Sequence, residues 1–496
     1  MAEGRVRVIF RRGQHPPSSR AKNRITPMQL SMGEVASFLG ASCEAPGRLV
    51  SGYSIDSRSI ASGSLFFAIR GRRFDGHEFV AQALERGAVG AVVEQAFRER
   101  VPPTLAPMFI PVANTTRALQ DLARAVRRKW AGQVVAVTGS TGKTTTKELI
   151  ATLLATRFTV HKSPGNLNNQ YGLPQTLLAL EPAHEVAVLE MGMSARGEIA
   201  RLAEIAEPET GVVTNVAPVH LEFFDSLDSI ASAKRELIEN LKQPATAVLN
   251  YDDPRVRGFR EGFAGCVVTF GFEEGAEYRA IGFGAHNYQV GPEIGTRFSV
   301  KGPAHEGDFY LPLPGRHNVE NALAAIATAS KFEVPWERIF AALWNFKPLS
   351  QRTEIVTLPL DVIVINDCYN SNPRAMKSML ETLAAWPDAG QRIVVAGEML
   401  ELGPSSPELH REIGRACARS RVDWLLAVQG DARFFVEGAV EEGLPAQRAY
   451  FFTDADEAGK FCRTILQPDD VVLVKGSRGV RLEKVTELLQ SSAAVK

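Results

Sequence analysis

The stretch VVAVTGSTGKTTTKELIATLL, residues 134–154, decides the fold of its region. An apolar strand leads into residues 139–144 (GSTGKT), and an amphipathic helix begins directly afterwards. The two glycines of this loop let backbone N–H groups converge on phosphate oxygens. Lys143 supplies a positive charge to those oxygens, and Thr144 offers a hydroxyl to Mg²⁺. The sequence therefore predicts a nucleoside triphosphate site, as in a hydrolysing switch, a kinase or a ligase.

The spacing of this loop differs from the standard one. The pattern G-x-x-x-x-G-K requires glycine at position 137, where this chain has Val137. An ordinary Gly/Ser turn before a helix is the alternative interpretation. The strand, loop, Lys-Thr pair and helix follow one another without interruption, and this succession favours the phosphate loop.

The rest of the chain divides into regions of alternating strands and helices. At 496 residues there is room for about three domains of ~150 residues each. We expect a small α/β domain at 26–112, a central domain with a parallel sheet at 113–348, and a Rossmann-like α/β domain at 349–496. Apolar β-branched runs in the central and third domains suit strands that are covered on both faces. Residues 270–313 are rich in glycine and predict an antiparallel excursion from the central domain.

Charge and cysteine usage exclude several classes of protein. Lys+Arg and Asp+Glu both total 56, so no net field attracts nucleic acid or an anionic membrane. No run approaches the ~20 apolar residues of a transmembrane helix. The five cysteines are scattered singly, which favours reduced thiols and a cytoplasmic location. Residues 1–25 are basic, and we expect a disordered tail or a start codon assigned too far upstream.

Two polar side chains follow strands of the central sheet. Glu190 ends the strand over 185–190, and His220 follows the strand over 211–215. Ligands of open parallel sheets bind at the carboxyl ends of the strands, so Glu190 is a candidate Mg²⁺ ligand together with Thr144. A solvated strand-end acid is the alternative for Glu190. His220 could bind metal or cap the next helix.

Lys234 lies on an apolar helical stripe. Helical spacing places it with Ile230, Leu237 and Ile238. One interpretation is that the stem is buried while the ammonium reaches water. The other is that desolvation lowers the pKa of the amine and makes it reactive. The residue pattern alone favours the first interpretation.

Several motifs together resemble the ATP-dependent Mur ligases of peptidoglycan synthesis. They are residues 138–144 (TGSTGKT), 165–174 (GNLNNQYGLP), 190–193 (EMGM), 214–216 (TNV) with His220, 231–234 (ASAK) and 315–322 (GRHNVENA). The resemblance covers nearly everything after the basic tail. It implies three domains, of which the first binds a UDP-sugar, the central one ATP and the third an amino substrate.

Further motifs resemble one branch of this family. Residues 56–58 (DSR), 65–69 (LFFAI) and 74–77 (FDGH) are similar to the UDP-sugar-binding domain of the two later-acting ligases. Residues 367–373 (DCYNSNP), 397–403 (GEMLELG) and 475–478 (KGSR) are similar to the member that adds D-alanyl-D-alanine to UDP-N-acetylmuramoyl-tripeptide. Cys368, Ser371 and Glu398 depart from its usual pattern, which concerns dipeptide contacts more than ATP chemistry.

The resemblance also implies a mechanism and a set of site residues. The tripeptide carboxylate attacks the γ-phosphate of ATP to form an acyl phosphate, and the dipeptide amine then displaces phosphate. The implied catalytic residues are Lys143, Glu190, His220 and Lys234. The implied metal ligands are Thr144, Glu190, His220 and Lys234, the last as a carbamate formed with CO₂. The implied ATP-binding residues are Gly139, Ser140, Thr141, Gly142, Lys143, Thr144, Thr145, Asn318, Asn321, Arg352, Asp367 and Asn370. The implied substrate-binding residues are Ser57, Arg58, Asp75, His77, Asn168, Asn169 and Arg196.

Two other classes of function stay open at this point. One is a sister ligase, such as the one that adds the third peptide residue, or a folylpolyglutamate synthase. The other is a phosphate-loop switch or motor, which would hydrolyse nucleotide without an amine acceptor. For the partners we expect only small-molecule substrates, with a monomeric protein and neither nucleic acid nor membrane.

Overall fold

The computed structural model describes residues 6–8, 28–71, 73–219, 222–283, 288–289 and 294–491. Over these residues the chain forms three α/β domains, each with its own main sheet, as the fold class predicted. Most of the basic tail lies outside the described residues. Its segment Val6–Val8 forms strand β1. β1 pairs in parallel with the edge of the central sheet, whose backbone groups would otherwise lack strand partners.

The first domain contains a small parallel sheet and a separate two-stranded antiparallel sheet. Its strands are β2 (Leu30–Ser31), β3 (Leu49–Val50), β4 (Gly52–Ser54), β5 (Ser64–Phe67), β6 (Gly90–Glu94) and β7 (Phe109–Val112). Its helices are α1 (Met32–Phe38), α2 (Val80–Glu85) and α3 (Gln95–Arg98), and α4 (Thr115–Trp130) follows it at the start of the central domain. The sheet order is β4-β5-β6-β7. Buried residues of α4, including Leu119 and Leu122, join the core of this domain to that of the central domain.

The central domain is built on a large mixed sheet. Its further strands are β8 (Gln133–Thr138), β9 (Val160–Lys162), β10 (Val186–Glu190), β11 (Thr210–Val213), β12 (Thr246–Asn250), β13 (Cys266–Gly271), β14 (Tyr278–Ile281), β15 (Tyr288–Gln289), β16 (Gly295–Lys301) and β17 (His305–Leu311). Its helices are α5 (Lys143–Leu154), α6 (Gly172–Leu178), α7 (Glu198–Ala206), α8 (Leu227–Glu239), α9 (Pro254–Gly258), α10 (Arg316–Lys331) and α11 (Trp336–Trp344).

The strand order of this sheet locates a binding crevice. The order is β1-β17-β16-β14-β13-β12-β11-β8-β10-β9, with β15 beside β16. The chain leaves β8 toward β9 and β10 on one side and returns to β11 on the other, so the order reverses at β8. Ligands of open α/β sheets bind at such a reversal, outside the carboxyl ends of the strands. The predicted antiparallel excursion continues this same sheet through β14, β16 and β17.

Alternation along β8 explains how the central sheet is covered. Val134 and Ala136 face the core formed with α4, α6, α7 and α8. Val135 and Val137 face the opposite core, formed with α5, α10 and α11. Because both faces are buried, the strand is apolar at every one of these positions.

The third domain carries a six-stranded sheet with helices on both faces. Its strands are β18 (Glu354–Thr357), β19 (Ile363–Asn366), β20 (Arg392–Gly397), β21 (Trp424–Val428), β22 (Ala449–Phe452) and β23 (Val471–Lys475). Its helices are α12 (Pro373–Ala384), α13 (Ser406–Arg419), α14 (Arg433–Glu441), α15 (Ala455–Ile465) and α16 (Glu483–Ser491). The order is β18-β19-β23-β20-β21-β22, and only the β18/β19 pair is antiparallel.

None of the helices in the described part of the chain has the length and apolar character needed to cross a membrane.

Candidate active site

The loop between β8 and α5 needs its two glycines. Gly139 has φ +150°, and a Cβ there would lie 1.9 Å from Thr214 Oγ1. Gly142 has φ +80°, and its Cβ would lie 2.3 Å from Asn321 Oδ1. Any side chain at either position would therefore displace a neighbouring polar group, in addition to backbone strain at Gly142.

The end of β11 fixes the shape of this loop. The Thr141 N–H and hydroxyl both donate to Asn215 Oδ1, at 3.0 Å each. The Thr214 hydroxyl donates to the Thr141 carbonyl at 2.6 Å. The loop is therefore held open at the N-terminus of α5, where its amides can receive phosphate oxygens.

Thr144 and Glu190 meet beside this loop. The Thr144 hydroxyl donates to Glu190 Oε2 at 2.7 Å, and Asn168 Nδ2 donates to Glu190 Oε1 at 2.7 Å. Glu190 is only 2% exposed, which rules out the alternative of a solvated strand-end acid. The pair combines a hydroxyl and a carboxylate oxygen, the kind of donor that Mg²⁺ prefers.

Lys143 is folded back onto the loop. Its Nζ donates to the carbonyl of Gly139 at 2.8 Å and to that of Ser140 at 3.3 Å. Burial lowers the pKa of the Lys143 amine, and the Glu190 carboxylate partly opposes this shift. The amine therefore lies within the loop that the sequence predicted to hold phosphate.

Lys234 is buried on α8, with Ile230 and Leu237 on the same stripe. It is 2% exposed, so its ammonium does not reach bulk water as the first interpretation required. Burial lowers the pKa of this amine well below its usual value, and the charge of Lys143 adds to the shift. No carboxylate among the described residues forms an ion pair with Lys234 to offset these effects. The structure thus agrees with the interpretation of a desolvated, reactive amine.

His220, predicted as a catalytic residue and metal ligand, lies outside the described residues. The described part of the chain contains no cluster of three or more His, Cys, Asp or Glu side chains that could hold a metal by themselves.

The predicted nucleotide residues beyond the loop come from α10 and the third domain. Asn321 Oδ1 accepts a hydrogen bond from the Thr146 hydroxyl at 3.1 Å, and Asn318 Nδ2 donates to the Pro314 carbonyl at 2.8 Å. These bonds hold the two asparagines beside α5. Asn370 Oδ1 accepts the Ser371 N–H at 2.9 Å.

Arg352 and Asp367 are fixed by other third-domain groups. The Arg352 guanidinium lies over the Tyr369 ring, 4.0 Å from its centroid. Asp367 Oδ1 accepts the Thr353 N–H at 3.0 Å, and Asp367 Oδ2 accepts a hydrogen bond from Lys475 Nζ at 2.6 Å. The aromatic contact and the ion pair keep both side chains at the wall of the site.

The central and third domains enclose one cavity of about 1130 Å³. The predicted residues that line it are Ser140, Thr141, Gly142, Lys143, Thr144, Thr145, Asn168, Asn169, Glu190, Arg196, Lys234, Asn318, Asn321, Arg352, Asp367 and Asn370. Gly139 belongs to the loop without lining the cavity. The phosphate loop, the Asn168 segment and the third domain therefore share a single space.

The predicted substrate residues of the first domain are not brought into this cavity. The Ser57 hydroxyl donates to Gln82 Oε1 at 2.7 Å, and Arg58 pairs with Asp56 at 2.8 Å. His77 Nδ1 lies 2.6 Å from Asp75 Oδ1, while His77 Nε2 accepts the Glu94 N–H at 2.9 Å. Both ring nitrogens of His77 are thus used inside the domain. The role of these four residues in binding substrate stays a prediction.

Sequence reasoning missed several residues that line the cavity. Burial lowers the pKa of His317 to about 4, so its imidazole is neutral at pH 7. Arg374 of α12 lies 3.8 Å from Asp253 Oδ2 and 3.7 Å from Glu320 Oε1, which links the third domain to the central one. Lys475 offered one signal in the sequence, because a lysine that ends a fully apolar strand is unusual.

Glu398, one of the departures noted in the sequence, has a local structural role. Its Oε1 accepts the Asp431 N–H at 3.0 Å, and a Cβ at Gly430 would lie 2.2 Å from the same oxygen. The Glu398 carboxylate therefore reaches a neighbouring loop.

Family models match most of the chain. The Mur ligase family catalytic domain matches residues 49–127, the Mur ligase middle domain 137–329, and the Mur ligase glutamate ligase domain 351–478. A UDP-N-acetylmuramoyl-tripeptide–D-alanyl-D-alanine ligase of Bacillus subtilis is 34% identical over 449 residues, covering 90% of this chain and 94% of the relative. The chain belongs to the Mur ligase family.

Solved structures of Mur ligases share the whole fold. MurF from Acinetobacter baumannii superposes with a TM-score of 0.84 at 30% identity, over 94% of this chain and 100% of that one. The MurF ligase of Thermotoga maritima, in complex with ADP, has a TM-score of 0.78 at 29% identity, over 89% of this chain and 98% of that one. The three-domain Mur ligase architecture that the motifs implied is confirmed.

Proposed function

We propose that this Mur ligase joins D-alanyl-D-alanine to UDP-N-acetylmuramoyl-tripeptide at the expense of ATP, through an acyl phosphate. The observation that carries the proposal is the single cavity in which the phosphate loop, the Asn168 segment and the third domain meet. A reaction that activates a carboxylate and then couples it to an amine requires all three substrates in one enclosed space. The names of the relatives that match over their full length support this choice of substrates.

The phosphate loop and Lys143 act on the transferred phosphoryl group. In the described conformation Lys143 Nζ is bonded to the carbonyls of Gly139 and Ser140, so its charge already lies where the phosphates would arrive. With ATP bound, the ammonium and the loop amides stabilise the negative charge that develops on the γ-phosphoryl oxygens. The ADP complex of the Thermotoga maritima ligase supports the use of ATP by this chain.

Thr144 and Glu190 fit a Mg²⁺ ion. Their two oxygens already converge, and Asn168 orients the second carboxylate oxygen. Mg²⁺ binds through one or two protein oxygens together with phosphate oxygens and water, which matches the small number of acidic groups found here. When bound, the ion would neutralise charge on the phosphates.

Lys234 fits a carbamate. Burial lowers the pKa of its amine well below the usual value, which favours the neutral form that can attack CO₂. The nitrogen–carbon bond forms as one carbon–oxygen π bond of CO₂ opens onto oxygen, the nitrogen releases one proton, and the neutral amine becomes a carboxylate-like anion. This anion would interact favourably with the Lys143 ammonium nearby. Together with His220 the carbamate would hold a second metal ion.

The third domain supplies the wall against which the dipeptide binds. Its residues Arg352, Asp367 and Asn370 line the same cavity as the loop. Enclosure by two domains excludes water, which would otherwise hydrolyse the acyl phosphate. The switch is disfavoured on this ground, because a protein that only hydrolyses nucleotide requires neither a second substrate wall nor a carboxylate acceptor.

The test is a phosphate-release assay with purified protein, ATP, Mg²⁺ and UDP-N-acetylmuramoyl-tripeptide. Addition of D-alanyl-D-alanine should produce phosphate and a product heavier by the dipeptide minus water. L-Alanyl-L-alanine serves as the matched control and should give neither. Phosphate release at the same rate with and without the dipeptide would favour a switch. Turnover with UDP-N-acetylmuramoyl-dipeptide and a diamino acid would favour the sister ligase.

Three further expectations accompany the proposal. All five cysteines are free thiols, as a reducing cytoplasm would allow. The protein acts as a monomer on small-molecule substrates. The first domain, over 26–112, binds the UDP-sugar moiety.

A further inference from the structure

Lys147 is a buried cation to which the proposed reaction assigns no role. It lies one turn into α5, four residues after Lys143, and is 0% exposed. An ammonium in such a place is costly unless its charge and its three N–H groups find partners. The partners of Lys147 show what the residue does.

Two of these partners are carbonyls of the segment before Asn168. Lys147 Nζ donates to the Ser163 carbonyl at 2.7 Å and to the Gly165 carbonyl at 3.1 Å. This segment leads directly into Asn166, Asn168, Asn169 and Gln170, which line the cavity on the side assigned to the acyl substrate. Lys147 therefore ties that side of the cavity to the helix that follows the phosphate loop.

The other partners are two carboxylates. Lys147 Nζ lies 3.1 Å from Glu148 Oε1 and 3.9 Å from Glu190 Oε2. The second oxygen is the one that accepts the Thr144 hydroxyl. Glu148 has a second cation beside it in Lys162, whereas Glu190 has no other ion pair among the described residues.

A further contact closes this arrangement. The Glu190 N–H donates to the Ser163 hydroxyl at 3.1 Å, so Ser163 is bonded to both Lys147 and Glu190. Asn168, at the end of the same segment, donates to Glu190. A displacement of the Lys147 ammonium would therefore move the metal-binding carboxylate and the substrate segment together.

We propose that Lys147 is a positioning residue that aligns Glu190 with the segment carrying Asn168. The nucleotide and the acyl substrate then bind in the correct position relative to each other. The proposal rests on the function proposed above. Its charge acts on Glu190, and its hydrogen bonds act on the carbonyls of Ser163 and Gly165. These two actions can be separated by substitution.

Lys147→Gln keeps a hydrogen-bond donor and removes the charge, whereas Lys147→Met removes both at similar volume. Lys129→Gln is the matched control, since Lys129 is a half-exposed lysine that pairs with Glu34 far from the cavity. Calorimetry of ADP binding at a series of Mg²⁺ concentrations measures the effect on the metal site at Glu190. The KM for UDP-N-acetylmuramoyl-tripeptide measures the effect on the segment that carries Asn168, and thermal unfolding measures the stability of the fold.

We expect Lys147→Gln to raise the Mg²⁺ concentration needed for ADP binding about 10-fold or more, the usual effect of losing a group that orients a metal ligand. Its KM for the UDP-tripeptide should stay within about threefold, whereas Lys147→Met should raise both quantities. The control should change neither.

Lys147 variants with unchanged Mg²⁺ dependence and only a lower melting temperature would overturn the proposal. Failure of both variants to fold would do the same, because Lys147 would then serve the fold. The calorimetry does not depend on turnover. A wild-type protein without dipeptide-dependent activity would therefore refute the proposed function while the Mg²⁺ dependence still decided the role of Lys147 at Glu190.

Discussion

Replacement of Gly142 by alanine should damage the phosphate loop by a calculable amount. Gly142 has φ +80°, where an L-residue costs roughly 1–2 kcal/mol. The new methyl group would lie 2.3 Å from Asn321 Oδ1, so that oxygen must move by about 1 Å to reach ordinary contact. Its hydrogen bond from Thr146, at 3.1 Å, is then lost, which costs about 1 kcal/mol more. The sum of ~2–3 kcal/mol corresponds to roughly 30- to 140-fold in an equilibrium constant.

Gly40→Ala separates the cost of backbone strain at positive φ from the cost of displacing a neighbouring side chain. Gly40 also has positive φ, at +60°, but a Cβ there meets nothing within 4 Å. We expect Gly40→Ala to lower the unfolding free energy by about 1 kcal/mol and to leave activity unchanged. Gly142→Ala should lower kcat/KM for ATP by the roughly 30- to 140-fold worked out above. Urea unfolding and steady-state kinetics of both variants measure this. If Gly142→Ala kept kcat/KM within threefold of the wild type, the assigned role of the loop geometry would be wrong.

Three more predictions concern the lysines of the site. Lys143→Ala should lower turnover on the order of 10²-fold or more and leave the fold intact, and near-normal turnover of the purified variant would contradict it. Lys234→Ala should be nearly inactive and be partly restored by small carboxylates such as acetate, because these can occupy the vacated place; no rescue at any concentration would count against the carbamate. Burial lowers the pKa of Lys234, so the unfolded chain holds more protons at any pH between that lowered value and about 10.5. The unfolding free energy of CO₂-free protein should therefore rise with pH over this interval, and Lys234→Met should make this rise smaller. Identical pH profiles of the unfolding free energy for the wild type and the variant would refute the lowered pKa of Lys234.

The strands next to the site could be predicted because they are buried on both faces. The strands expected before residue 139, over 185–190 and over 211–215 coincide with β8, β10 and β11 to within one or two residues. The edge strand β9 has only three residues, none of them fully buried, and produces no apolar run. Edge strand β22 is likewise half exposed, with Phe451 at 41%.

The parts of the candidate site that are formed by residues close together in the sequence could be predicted. The phosphate loop and Glu190 each follow a recognisable strand, so their neighbourhood follows from the parallel sheet. The pattern of α8 exposed the unusual place of Lys234, although the choice between snorkelling and burial needed the structure. The link from Arg374 to Asp253 and Glu320 depends on how two domains dock, which no local pattern contains.

The resemblance to a family contributed what local patterns could not. Membership of the Mur ligase family is confirmed, and with it the three-domain fold. Residues carried over from the motifs of the central and third domains mostly line one cavity. Those of the first domain do not line it, and Asp75 and His77 bond to each other within that domain.

The most direct test of the account follows oxygen atoms. UDP-N-acetylmuramoyl-tripeptide is labelled with ¹⁸O in its terminal carboxylate and turned over with ATP and D-alanyl-D-alanine in ordinary water. If the carboxylate attacks the γ-phosphate and the amine then displaces phosphate, each inorganic phosphate released should carry one ¹⁸O from the tripeptide. Phosphate without ¹⁸O would show that water attacked the nucleotide, and the acyl-phosphate ligase would have to be abandoned.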